Sequence, residues 1–269
     1  MVKISVIIPT YKPEKYIYDC LKSLEEQTIS KDFFEVIIVL NGDKQPYYDD
    51  IYEHISHIKM KVKLIYTEKK GVSNARNIGL DLMRGSYVVF LDDDDILSPN
   101  YLKNMLKIAQ DNTLCISNLV CFDNDSKKQY LDYIGKNFVE SIKSDNVFKM
   151  RKFTSAIGGK LIPISVIGMV RFDDNFSNGE DSLFMAEISK NISSYITTER
   201  NTIYYRRVRK ESLSKQKNIF LKIANSFKLV LRYSCLLLKK EYDPIYILSR
   251  ILAQFKNIFN NMLGYFKQS

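Results

Sequence analysis

Two hydrophobic patterns alternate along the first hundred residues. Short, mostly apolar runs occupy Ile4–Ile8, Val36–Leu40, Val62–Tyr66 and Tyr87–Leu91. Each has strand length and is rich in Val, Ile, Tyr and Phe, which suit a pleated surface buried on both faces. Pro9-Thr10 and Asn41-Gly42 close the first two runs. Between the runs, apolar residues recur at helical spacing. Ile17, Leu21 and Leu24 share one face after Pro13, and Tyr47–Ile58 reads as a second helix. Val72–Met83 reads as a third, ending at Arg84-Gly85, and Ser98-Pro99 opens a fourth through Leu102, Leu106 and Ile108–Ala109. Repeated strand–helix units predict a mostly parallel sheet flanked by helices, an α/β architecture. Leu114 to Lys160 is irregular and predicts strands and loops. Ser177–Ser189 reads as a helix and Ser194–Arg207 as a final strand. Beyond Lys217 the pattern is purely helical. Phe220, Ile223, Phe227, Val230 and Leu231 come first. After Asp243-Pro244, Ile245, Leu248, Leu252, Phe255, Phe259, Met262 and Phe266 succeed one another in steps of three and four.

A chain of 269 residues, 45% hydrophobic, fits one large domain with an appendage. The net charge of +9 is uneven. From Ile203 to Ser269, fourteen Lys and Arg stand against Glu211, Glu241 and Asp243, giving +11 and leaving −2 for the rest. That distribution argues against a protein that grips nucleic acid over its whole face, and it gives a near-neutral body an anion-seeking end. Cys20, Cys115, Cys121 and Cys235 lack Cys-x-x-Cys spacing and read as reduced thiols of a cytoplasmic protein. His54 and His57 are the only histidines, too few for a histidine-built zinc centre. Met1–Pro9 starts a strand rather than a signal peptide, and no run reaches the roughly 18 apolar residues of a membrane span.

The candidate chemistry concentrates where the fourth run meets Asp92-Asp93-Asp94-Asp95. A buried strand delivers the residues after it to the edge of the sheet, where open α/β folds bind ligands. Four adjacent carboxylates raise one another's pKa unless a cation sits among them. A hard divalent ion, with oxygen ligands and room for phosphates, suits such a loop. A second acidic pair, Glu180-Asp181, stands at a helix start, where it serves either dipole compensation or proton transfer.

Five segments come in order: Ile7-Ile8-Pro9-Thr10-Tyr11, Val39-Leu40-Asn41-Gly42-Asp43, Gly71-Val72-Ser73-Asn74-Ala75-Arg76-Asn77-Ile78-Gly79, Phe90 to Asp95, and Gly179-Glu180-Asp181. Together they resemble the family 2 glycosyltransferases, the inverting group on the GT-A fold, closely over residues 1–110 and more loosely over 155–215. The resemblance implies a Rossmann-like, mostly parallel sheet over residues 1–215, with a nucleotide-binding half, 1–110, and an acceptor half, 111–215. Residues 216–269 form a basic amphipathic helical tail. By the same resemblance Pro9, Thr10 and Tyr11 line the nucleotide pocket. Asn41 falls where the family usually has aspartate and would accept from the uracil N–H as a neutral carbonyl. Arg76 lies near base and phosphates. Asp92 holds the ribose or its neighbour, with Asp93 beside it in the variable slot of Asp-x-Asp. Asp94 ligates Mn²⁺ or Mg²⁺, and Asp95 orders the loop and donor sugar. Asp181 is the general base, and Glu180 the acceptor-orienting neighbour and second choice. Gly71 and Gly79 are close-approach or packing positions. Tyr204–Ser214 resembles the segment after the base and offers Arg206 or Arg209 to the leaving diphosphate.

The implied activity is metal-dependent, inverting transfer of a sugar from a nucleotide-diphosphate donor, a UDP-sugar first, to a glycan hydroxyl. The natural acceptor is lipid-linked, in surface-polysaccharide synthesis. A non-catalytic nucleotide- or sugar-binding module would not need both Asp94 and Asp181. A sugar nucleotidyltransferase would want a Gly-rich, Arg-bearing loop where Pro9-Thr10-Tyr11-Lys12-Pro13 stands. A nucleic-acid partner would have only the tail to bind. The tail itself reads two ways: as an anchor on the anionic cytoplasmic face of the inner membrane, or as helices packing on the domain or along a homodimer seam.

Overall fold

The computed structural model describes residues 2–123, 128–176, 178–209 and 219–266, with side chains of the last helix described to Leu263. Ser177, Lys210–Ser214 and the Phe266 side chain, each part of a sequence expectation, lie outside the described residues. Strands β1 (Ile4–Thr10), β2 (Phe34–Asn41), β3 (Val62–Thr67) and β4 (Tyr87–Phe90) correspond to the four apolar runs. They pair in parallel in the order β3-β2-β1-β4. Every residue of β1 and β2 is buried, which explains why these runs are almost unbroken rather than alternating. Helices Tyr16–Glu25, Tyr47–Ser56 and Val72–Leu82 connect them.

The irregular middle builds two further sets of strands. After β5 (Ile96–Leu97) come β6 (Thr113–Ile116), β7 (Asn118–Phe122), β8 (Gln129–Tyr130), β9 (Lys143–Ser144) and β10 (Lys160–Pro163). β10 runs antiparallel to β4 and extends the main sheet through β6 to β11 (Ser194–Thr197) and β9. A second sheet has the order β5-β12-β7-β8, where β12 is Ile203–Arg207. The single strand predicted over Ser194–Arg207 is therefore two strands in two sheets. The turn that parts them, closed by Thr202 N–H donating to Glu199 O at 3.1 Å, redirects the chain from one sheet to the other. This switch carries β12 next to β5, directly after the acidic loop.

Close packing fixes the helix after β3. A Cβ on Gly79 would lie 2.4 Å from Ile7 Cγ2, so only glycine lets Val72–Leu82 approach β1. Gly71 differs from its expected packing role. Nothing lies within 4 Å of where its Cβ would be, and its φ of 130° is what requires glycine at the helix entrance.

Helices Ile219–Leu237 and Pro244–Phe266 pack together and against the body. Asp243 accepts from Tyr246 N–H at 2.7 Å and starts the second of them. Leu229, Tyr233, Tyr246 and Ile247 join Phe176, Leu183 and Ala186 in one apolar cluster. Tyr233 Oη bonds Ser182 Oγ at 2.9 Å, and Tyr246 Oη bonds Thr154 Oγ1 at 2.9 Å. Among the described residues no helix is long and apolar enough to cross a membrane.

One ion pair, a buried Glu35 carboxylate met by a half-exposed Arg84, ties the amino-terminal ends of β1, β2 and β4. Glu35 accepts from Ser5 Oγ and from Arg84 backbone N–H on one oxygen, at 2.8 and 2.7 Å. Arg84 Nε and Nη2 reach the other at 2.9 and 2.7 Å. Glu35→Ala strands a buried hydroxyl and a backbone N–H, and we expect it to lower the unfolding free energy by about 3 kcal/mol in urea titration. A loss below about 1 kcal/mol would show the clamp to be dispensable.

Candidate active site

The carboxyl ends of β1, β2 and β4 open on one side, and each contributes a side chain held by a specific partner. At the end of β1, Thr10 Oγ1 donates to Asp93, joining that strand to the acidic loop. The Tyr11 ring lies under the ammonium groups of Lys12 and Lys70, at 5.7 and 5.6 Å. Asp43 bonds both lysines, at 2.9 and 3.5 Å. This rim of an aromatic face and two cations is the part of the opening most suited to a nucleotide. At the end of β2, Asn41 is buried. Its Nδ2 donates to Thr10 O at 2.7 Å and its Oδ1 accepts from Gly71 N–H at 2.9 Å. The carbonyl assigned from sequence to a uracil N–H is thus engaged with backbone, and Asn41 joins β1 to the turn before the third helix.

Arg76 enters this opening from helix Val72–Leu82 and is 3% exposed. Its guanidinium donates to Asp181 at 2.7 Å and to Asp92 at 3.0 Å, and lies 3.5 Å from Glu180. Its guanidinium carbon stands 5.3 Å from the centre of the Phe172 ring, which stacks on Phe184 and meets Phe90 edge-on. Burial opposes the charge on Arg76, and Asp181, Asp92 and Glu180 more than offset it, so the group is held protonated. The sequence placed Arg76 beside base and phosphates. The structure places it between the two acidic motifs and joins them.

Asp181 receives two bonds, one from Arg76 and one from Ile157 backbone N–H at 3.0 Å on its other oxygen. Both it and Glu180 lie at the start of helix Glu180–Ile188. Burial, then the neighbouring Asp181 charge, push the Glu180 carboxyl up to about 7.

The acidic loop is gripped by β12 and the residues after it. Asp95 is buried and accepts from Arg207 N–H at 2.8 Å and from the Tyr204 hydroxyl, while Tyr204 Oη also accepts from Asp92 N–H at 3.3 Å. Arg207 Nε donates to Asp94 O at 2.7 Å and its Nη2 to Asp19 at 3.0 Å, with its face over Tyr16 and Phe122. Arg209 Nε lies 2.7 Å from Asp94. Arg206 points elsewhere, to Asp132 at 2.7 Å and Cys121 Sγ at 3.3 Å. Arg206 therefore does not join the loop, whereas Arg207 and Arg209 do.

Burial, helped by the adjacent carboxylates, raises three members of the loop. Asp93 is pushed up to about 7, Asp94 is raised, and Asp95 stands well above the carboxylate range. A divalent cation suits this donor set, because it relieves a crowding that Arg207 and Arg209 only partly offset. Among the described residues no three His, Cys, Asp or Glu side chains gather around one point. An ion at Asp94 would therefore draw most of its oxygens from phosphates.

Sequence reasoning also passed over Lys160. It is fully buried on β10, donates to Gly158 O at 2.9 Å, and burial lowers its pKa to about 7. It braces the turn whose Ile157 N–H holds Asp181. Its only sequence signal is a lysine opening an apolar strand, which is indistinguishable from a solvated strand end.

Comparisons with known proteins bear on the family and the fold. Residues 5–165 match the family model for glycosyl transferase family 2. The glycosyltransferase GlyA of Streptococcus pneumoniae is 27% identical over 224 residues, covering 79% of this chain and 32% of GlyA. Poly(ribitol-phosphate) β-N-acetylglucosaminyltransferase TarS of Staphylococcus aureus is 35% identical over 104 residues, 39% of this chain and 18% of TarS. The chain spans 18% to 42% of the length of these and other curated relatives. The crystal structure of S. aureus TarS 1–349 with UDP-GlcNAc superposes with a TM-score of 0.75 at 20% identity, covering 96% of this chain and 73% of that one. The mannosyltransferase PcManGT of Pyrobaculum calidifontis, with GDP-Man and Mn²⁺, superposes with a TM-score of 0.64 at 18% identity, covering 97% and 73%. The structural likenesses show a GT-A-like α/β fold, and the family match shows that the chain belongs to glycosyl transferase family 2.

Proposed function

We propose that this chain transfers a sugar from a nucleotide-diphosphate donor, a UDP-sugar first, to a hydroxyl of a glycan in surface-polysaccharide synthesis, with inversion at the anomeric carbon. The observation that carries the reading is the bridge made by Arg76. One guanidinium joins Asp92 of the acidic loop to Asp181 of the acceptor-side helix, so a donor site and a base are built as one unit. The complex of TarS with UDP-GlcNAc supports the donor class, and that of PcManGT with Mn²⁺ supports the metal.

In this reading the nucleotide lies along the ends of β1 and β2, against Tyr11 and within reach of Lys12 and Lys70. Asp94, with Asp93 behind it, faces the diphosphate. Mn²⁺ or Mg²⁺ held there by Asp94 and the diphosphate oxygens would neutralise charge on the departing nucleotide. Arg209, beside Asp94, adds a cation on the same side. Asp181 accepts the proton of the acceptor hydroxyl. That oxygen attacks the anomeric carbon from the face opposite the diphosphate, whose bond to the sugar breaks with the electron pair leaving on phosphate oxygen. Arg76 and Ile157 N–H fix the orientation of Asp181. Glu180, with its carboxyl at about 7, can keep a proton near neutrality and donate to an acceptor hydroxyl beside the base.

Purified protein with Mn²⁺ and a panel of UDP-, GDP- and dTDP-sugars should release nucleotide from one donor, and chelation by EDTA should stop it. Asp181→Asn should lower that turnover by roughly 10²–10⁴ while UDP affinity by calorimetry stays within about twofold. Turnover retained in Asp181→Asn would place the base elsewhere. UDP binding with no turnover on any donor or acceptor would favour a non-catalytic module of the same fold.

Glu180 also sets a pH dependence. Its ordinary value is 4.5 and its folded value about 7, so between these the native state holds a proton that the unfolded chain has released. Glu180 therefore costs stability as pH rises through that window, and the cost disappears below it. Glu180→Gln should raise the melting temperature at pH 7.5 and leave it nearly unchanged at pH 4.5. An equal effect at both values would remove burial of the charge as the cause.

A further inference from the structure

The tail helices each carry two apolar faces, and the body covers only one. Helix Ile219–Leu237 buries Leu229, Tyr233 and Leu236, yet Phe227 and Leu231 on its other side, and Leu238 just beyond its end, are 51–86% exposed. Helix Pro244–Phe266 buries Tyr246, Ile247 and Ile258 but leaves Leu252, Phe255 and Phe259 49–67% exposed. Steps of three, four and seven put each exposed set on one helical stripe. The second stripe continues from Ile245 to Met262, about 25 Å at 1.5 Å per residue. Apolar surface of that extent marks an interaction site, not ordinary scatter.

Charge identifies the partner. Between residues 219 and 266 the acidic side chains are Glu241 and Asp243, against Lys222, Lys228, Arg232, Lys239, Lys240, Arg250 and Lys256. Glu241 pairs with Lys190 of the body and Asp243 caps its helix, so neither offsets the lysines of the stripes. Lys228 stands three residues from Leu231 and Lys256 four from Leu252, which places both along the stripe edges. In a two-fold pairing of copies through this face, each basic margin would lie close to the other, an arrangement that like charges oppose. An anionic lipid surface offers acyl boundary to the stripes and phosphates to their lysine margins.

We propose that the tail hairpin docks this chain on an anionic bilayer. The same hairpin holds the helix of Asp181 through Leu229, Tyr233 and Tyr246, so the docked surface and the base belong to one packed unit. Resting on the glycosyl-transfer reading, this names the acceptor class as a glycan borne on a lipid at that surface.

The test is flotation of the full chain with vesicles of phosphatidylcholine alone or mixed with phosphatidylglycerol. The protein should float with the anionic vesicles, less so in high salt, and poorly with the neutral ones. Leu252→Glu/Phe259→Glu and, separately, Lys228→Glu/Lys256→Glu should each lower the bound fraction about tenfold without changing the melting temperature. These side chains are not in the reaction site, so loss of binding cannot be loss of catalysis. Asp181→Asn should float like the parent, which keeps the docking result readable should the glycosyl-transfer reading fail. Absence of flotation on anionic vesicles overturns the proposal. So does a dimer in light scattering that Leu252→Glu/Phe259→Glu dissociates while vesicles are ignored, which would give the face to a second copy.

Discussion

A buried guanidinium organises the candidate site of this molecule. Arg76 is almost fully enclosed, and an enclosed guanidinium persists only when carboxylates surround it closely. Here they come from two distant places in the sequence, Asp92 after β4 and Asp181 at the start of a helix some ninety residues later. Neither motif can shift without exposing or stranding the charge between them. Arginine suits the position better than lysine, because its planar fork reaches two carboxylates at once while its face rests over Phe172. The aromatic contacts of Phe172 with Phe90 and Phe184 carry that constraint into the core, one ring on β4 and one on the Asp181 helix.

The second sheet acts on the same loop from the other side. β12 contributes Arg207 N–H and the Tyr204 hydroxyl to the Asp95 carboxyl, Arg207 Nε to Asp94 O and Tyr204 Oη to Asp92 N–H, so the loop is held through its backbone as well as through Asp95. Burial, and after it the adjacent carboxylates, still raise the Asp93, Asp94 and Asp95 carboxyls. On this crowding rests the proposal of a divalent cation that arrives with phosphate oxygens.

Much of this was legible in the chain because it depends on local pattern. β1, β2 and β4 are largely apolar on both faces, so their runs stand out, and a strand leading into four aspartates can be placed at the sheet edge without coordinates. What escaped depends on pairing at long range. Which arginine of β12 meets the loop is decided by partners far apart in sequence: Asp132 draws Arg206 away, while Asp94 O and Asp19 take Arg207. The position of Asn41 at a strand end was readable, but the bonds of its amide to Thr10 and Gly71 were not. Lys160 gives no sign of burial, since a lysine opening a strand is ordinary at a solvated end. The helical spacing of the tail was plain, but which stripe packs inward could be read only against the Asp181 helix.

The most direct test of the central claim is the steady-state kinetics of Arg76→Met, with kcat separated from the donor KM. If Arg76 joins the donor loop to the base, the donor KM rises and kcat at saturating donor falls in the same variant, each by about tenfold or more. A variant that changes only one of the two would show that donor binding and the base are built independently, and would contradict the account.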